Sequence, residues 1–112
     1  MTGPEEARKG VSTAIREVAD AMAYHGIWDE PEPPADAWHS SQPFFADTMT
    51  FPQWLRYVLL GRLEDLLALD ASMPEYCEVA PMAEEYARVH GLVLTSLIDA
   101  LQHLDRLVTR SR

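Results

Sequence analysis

Apolar side chains recur at three- and four-residue steps in four separate stretches of this chain, and no period-two alternation of useful length appears. The first stretch, Thr2 to His25, sets Ala7, Val11, Ala14, Ile15, Val18 and Met22 on one stripe. Thr2 followed by Glu5 resembles a capping box, Pro4 suits a first helical turn, and His25-Gly26 reads as a stop. A second helix is predicted from Thr50, with Gln53 completing a capping box and Pro52 in the first turn. Its stripe, Phe51, Trp54, Leu55, Val58, Leu59, Leu63, Leu66 and Leu67, continues to about Leu69. Gly61 interrupts that helix at a cost of roughly 1 kcal/mol relative to alanine, which predicts a kink or a close backbone approach. Asp70 to Glu78 is a connector containing Pro74. A third helix is predicted from about Pro81 to His90, with Met82, Ala83, Tyr86 and Val89 inward and Glu84 and Glu85 near its N-terminus. Gly91 breaks it, and a fourth, from about Leu92 to Thr109, carries Leu94, Leu97, Ile98, Leu101, Leu104 and Val108.

Each of these helices must bury one face. The expected fold is therefore all-α, a compact bundle of about four antiparallel helices forming a single domain over residues 1–112. The exception is the stretch 27–49, where Pro31, Pro33, Pro34 and Pro43 block helix and interior strand alike. Its first half is acidic, through Asp29, Glu30, Glu32 and Asp36, and its second half, Trp38 to Phe45, is apolar. Apart from Tyr76 and Tyr86, every aromatic residue of the chain lies between Tyr24 and Tyr57. A connection this long is uncommon in a compact domain unless it works or is disordered, and its aromatic content predicts an ordered cover laid across the helices.

Charge narrows the partners. The formal net charge is −9, a field that opposes phosphate backbones and anionic membranes, so direct nucleic-acid binding is disfavoured and basic partners are favoured. The arginines near the C-terminus, Arg106, Arg110 and Arg112, read as cations complementing a helix dipole. No apolar run approaches a membrane span, and Met1-Thr2-Gly3-Pro4-Glu5-Glu6 does not resemble a signal peptide, so the expected location is cytoplasmic. Cys77 is the only cysteine; it can form no internal disulfide and reads as a small buried apolar residue.

Catalytic and metal chemistry find little support. The glycines are scattered and form no phosphate-binding loop. His25, His39, His90 and His103 show no metal spacing, and two of them precede glycines at predicted helix ends. Glu84, Glu85, Asp99 and Asp105 lack the Glu-x-x-His pairs of a bundle metal site and read as solvated acidic faces. Neither Cys77 nor any serine stands at a nucleophile spacing. No catalytic residue, cofactor or metal is expected. What remains is the run Gln42 to Trp54, with Gln42, Asp47 and Thr48 embedded among Pro43, Phe44, Phe45, Met49 and Phe51. Either Asp47 or Thr48 satisfies backbone donors where the cover turns into helix two, with Gln42 satisfying a backbone group nearby, or the three anchor a pocket or groove floored by aromatics. Arg56 and Arg62 are placed to pair with Asp47 or with the acidic loop.

The pattern Gln42-Pro43-Phe44-Phe45-x-Asp47-Thr48-Met49-x-Phe51-x-Gln53-Trp54-Leu55, with Arg62 and Val79-Ala80-Pro81 further on, resembles the YqcC-like family of small bacterial proteins. Relatives commonly show Ile-Pro-Arg-Met where this chain has Leu60-Gly61-Arg62-Leu63. The resemblance covers nearly the whole chain and implies a compact helical bundle of unknown function, linked by association to tRNA pseudouridine synthase C. The expected role is a non-catalytic accessory or interaction protein with a protein partner, an RNA-modifying enzyme among the candidates, and homo-oligomerisation is left open. The candidate interaction residues are Gln42, Phe44, Phe45, Asp47, Thr48, Trp54 and Arg62. A second reading is a small-ligand or enzymatic bundle with a pocket around the same motif, and a third is pseudouridylation itself.

Overall fold

The computed structural model describes residues 4–74 and 77–110. Thr2 of the predicted capping box, Tyr76 and Arg112 lie outside the described residues. Four helices form the frame: α1, Pro4–Tyr24; α2; α3, Ala80–His90; and α4, Thr95–Arg110. Helix α2 runs through three consecutive segments, α-helical Phe51–Gln53, π-helical Trp54–Leu60 and α-helical Gly61–Ala68. No strand occurs among the described residues. The all-α bundle expected from periodicity is the fold observed.

Neighbouring helices run antiparallel. Along α1 and α4, Gly10 faces Leu107, Glu17 faces His103 and His25 faces Ser96. Along α1 and α2, Arg8 reaches the backbone of Leu66 and Ala71, while Trp28, just beyond α1, meets Arg56. The core between them is the predicted stripes: Val11, Ala14, Val18 and Met22 of α1, and Leu97, Leu101, Leu104 and Val108 of α4, are all fully buried. Each buried aliphatic side chain of this kind contributes on the order of 2 kcal/mol.

Three of the helix stops share one geometry. Beyond α1, α2 and α3 the residues Gly26, Asp70 and Gly91 are left-handed, and the next amide reaches back to a carbonyl five residues earlier. These are Schellman caps, for which glycine is the usual residue and Asp70 the exception. The Thr50–Gln53 capping box is present in full at the start of α2.

Two predicted details need correction. Gly61 is helical, at φ −59 and ψ −45, and a Cβ there would meet nothing within 4 Å, so it marks no close approach. The irregularity is the π segment just before it. A π turn takes up an extra residue, so the buried positions Leu55 and Leu60 are five apart, and Val58 and Leu59 are only half-buried. On α3 the buried face is Ala80, Ala83 and Ala87, which lets α3 approach closely, and Val89 points outward with 61% exposure.

Candidate functional site

The stretch joining α1 to α2 is laid along α2 by donors at helical spacing. The Thr50 hydroxyl donates to the Glu30 carboxylate at 2.7 Å, and Gln53 Nε2 donates to the Pro31 carbonyl at 2.9 Å. Arg56 donates to the Trp28 carbonyl at 2.6 Å, and the Tyr57 hydroxyl donates to the Glu30 carbonyl at 3.4 Å. The Arg56 guanidinium also lies over the Trp28 ring, 4.0 Å from its centroid, and 4.9 Å from that of Tyr57. Residues 50, 53, 56 and 57 occupy one side of the helix, so the acidic half of the cover follows the α2 axis. Arg56 thus meets the acidic loop as expected, but through the carbonyl and ring face of Trp28 rather than a carboxylate.

The apolar half folds into two 3₁₀ turns, Ala35–His39 and Pro43–Phe45. Thr48 Oγ1 donates to the Ala37 carbonyl at 2.7 Å and ties the two together. The Ser40 hydroxyl donates to the Asp47 carboxylate and accepts from the Gln42 amide. Asp47 and Thr48 therefore satisfy a hydroxyl and a carbonyl, not the backbone donors anticipated for them.

Phe44 and Phe45 are both left-handed, at φ 57 and 54. For a residue carrying a Cβ this conformation costs about 1 to 2 kcal/mol, and two bulky aromatics in succession are unusual. The outcome is that the two rings diverge. Phe45 meets Trp38 edge to face at 5.7 Å, and Phe44 stands perpendicular to Trp54 at 5.4 Å while remaining 55% exposed. From Trp54 the rings continue through Phe51 and Tyr86 to His90, linking cover, α2 and α3.

Two shallow depressions result, one on each side of the strained pair. Phe44, Met49, Phe51, Trp54 and Met82 line an apolar niche of about 200 Å³. Trp38, Phe45, Tyr57, Arg62, Glu64 and Asp65 line a wider one of about 520 Å³. Of the candidate residues, Phe44 and Trp54 meet in the first, and Phe45 and Arg62 in the second. Trp54 is nearly buried and belongs to the core, whereas Gln42, Asp47 and Arg62 stand in solvent. Among the described residues no group of histidine, cysteine and acidic side chains is arranged to hold a metal.

Asp105 departs furthest from expectation. It does not belong to a solvated acidic face. Its carboxylate accepts from the amides of Val79 at 2.9 Å and Ala80 at 2.9 Å, and from the Cys77 thiol at 3.1 Å. An acid on α4 thus caps the N-terminus of α3, whose own cap residue, Val79, has no acceptor to offer. Burial and the neighbouring carboxylate push the Cys77 thiol well above its ordinary range. Valine at the cap position was the signal available in the sequence.

The comparisons with known proteins agree with this architecture. A family model described as tRNA pseudouridine synthase C matches residues 10–107. The chain is 35% identical to the uncharacterised protein YqcC of Escherichia coli K12 over 74% of its own length and 76% of that protein. It is 30% identical to a protein named tRNA pseudouridine synthase C from Pectobacterium carotovorum, over 60% of this chain but only 19% of that one. The solution structure of YqcC from E. coli superimposes with a TM-score of 0.75 at 28% identity, covering 95% of this chain and 91% of that one. With its matched model spanning all four helices, the chain belongs to the DUF446 family, the family that the YqcC-like motif around Phe44 and Phe45 had suggested.

Proposed function

We propose that the protein is a non-catalytic accessory protein that presents the Phe44–Phe45 corner to a protein partner, and that the partner is a tRNA pseudouridine synthase. The observation carrying this reading is the left-handed pair itself: strain is spent to hold Phe44 outward, 55% exposed, over an apolar niche. A ring on a rigid platform beside a small niche is the anatomy of an interface anchor. At about 200 Å³ the niche beside Phe44 is smaller than the roughly 300 Å³ at which small-molecule sites begin, so it suits a partner's side chain, whereas the depression of about 520 Å³ beside Phe45 and Arg62 has the size of a ligand site. Support for the partner comes from the family description and from the Pectobacterium protein, in which a segment similar to this chain occupies 19% of a larger protein named as the synthase. The acidic balance suits the basic surface of an enzyme that handles RNA.

The test is binding of the purified synthase from the same organism by titration calorimetry, comparing the wild type with Phe44→Gly. Glycine accepts φ 57 without strain, so this variant removes the ring and keeps the fold, whereas Trp54→Ala would empty part of the core. We expect binding by the wild type and at least a tenfold loss, about 1.4 kcal/mol, in Phe44→Gly. Equal affinity in the two proteins, or no binding by either, overturns the reading.

A further inference from the structure

A second surface, away from the Phe44–Phe45 motif, lies between α1 and α4. Glu17, Asp20 and Tyr24 of α1 and Ser96, Asp99 and His103 of α4 line an open trench of about 660 Å³. It is continuous, through Tyr24, Ser96 and Asp99, with a second hollow of about 490 Å³ that takes in His25 and Val93. No lysine or arginine lines either part. The histidines are already engaged, His25 with the Ser96 hydroxyl at 2.7 Å and His103 with Glu17 at 3.4 Å. Asp20 and Asp99 are exposed. Apolar surface accompanies the acid: Tyr24 is 82% exposed and Val93 81%, more than any other large apolar side chain described. Asp20 and Asp99 stand beside the Tyr24 ring, which meets His25 edge to face at 5.1 Å and is otherwise open to solvent.

We infer that this trench is a docking site for a basic amphipathic helix of a partner protein. Two antiparallel helices leave a groove that a third helix fills most simply. Arginine or lysine on that helix meets Asp20, Asp99 and the face of Tyr24, and its apolar side covers Tyr24 and Val93. A phosphate backbone or an anionic membrane is repelled by the same carboxylates and by the net charge of −9. This inference does not depend on the Phe44 corner being an interface.

The probe is a synthetic amphipathic peptide of about 18 residues, five helical turns, with arginine on one face and leucine on the other. It is titrated into the isotope-labelled protein and followed by amide chemical shifts. We expect the shifts to gather on α1 from Glu17 to Tyr24 and on α4 from Ser96 to His103. Replacing Asp20→Asn and Asp99→Asn together should weaken binding roughly tenfold, while Glu32→Gln with Asp36→Asn, the same charge change on the cover, should leave it unaltered. Shifts spread over the whole acidic surface, equal weakening by both double variants, or no shift at millimolar peptide each overturn the inference. Shifts gathered around Phe44 overturn it too, and leave the proposed role of that corner standing.

Discussion

Asp105 joins α4 to both the connector and the start of α3. It accepts two amides at the start of α3 and the thiol of Cys77, and each of these donors loses its partner if the carboxylate is removed. Asp105→Ala is expected to destabilise the fold by about 3 kcal/mol in urea unfolding, because charged hydrogen bonds are lost and part-buried amides are left unsatisfied. Asp105→Asn, which keeps one acceptor oxygen, should cost less than half of that. The thiol carries a separate consequence. Folded Cys77 keeps its proton where an unfolded thiol begins to release it, near pH 9.0. The folded state then binds more protons than the unfolded one, so stability that is intact below pH 9.0 falls as the pH rises above it. The expected slope is roughly 1.4 kcal/mol per pH unit, and Cys77→Ala, measured across the same alkaline range, should lack that contribution. The native thiol should also stay inert toward disulfide reagents until the protein unfolds.

At the scale of elements, two glycines have opposite work. Gly61 sits in helical conformation with open space around it, so Gly61→Ala is expected to stabilise by about 0.5 to 1 kcal/mol. Gly91 holds φ 63 in the cap of α3, and Gly91→Ala should destabilise by about 1 kcal/mol. Thermal unfolding of the two variants against the wild type checks both signs at once. The sequence made the four helices, their stops and the Thr50–Gln53 box readable, because each depends on local spacing and on residues with one conformational preference. The π segment was not readable: Leu55 and Leu60 satisfy a five-residue step only because the packing of α2 demands it, and no propensity marks that step. On the cover, the aromatic content of Trp38 to Phe45 announced order, yet nothing local announced that Phe44 and Phe45 would both turn left-handed. Their rings come to rest against residues outside the pair, Trp38 on one side and Trp54 on the other. The trench was not read from the sequence: Glu17, Asp20 and Tyr24 follow helical steps as Asp99 and His103 do, but only the antiparallel pairing of α1 and α4 brings the two series together.

Over the whole molecule, the ends of the connector between α2 and α3 are held by helices far away in the chain. Arg8 of α1 donates to the carbonyls of Leu66 and Ala71, at 2.9 and 2.8 Å, and lies 3.3 Å from Asp70; Asp105 of α4 closes the other end. The two clamps differ in the direction along the chain from which they arrive, and that sets an order of events during synthesis. When residues 66–71 leave the ribosome, Arg8 has already been made, so the carbonyls at the end of α2 have their donor in the chain. The start of α3 has no such partner in hand. Its amides wait until Asp105 emerges some 25 residues later, so the growing chain passes through a stage in which α3 is frayed at its beginning and the buried stripe of α1 still lacks α4. A chain halted before Asp105 should show this directly, as fast amide exchange at Val79 and Ala80. Helix α4 is then the latch of the bundle: the last of the four helices fixes where α3 begins.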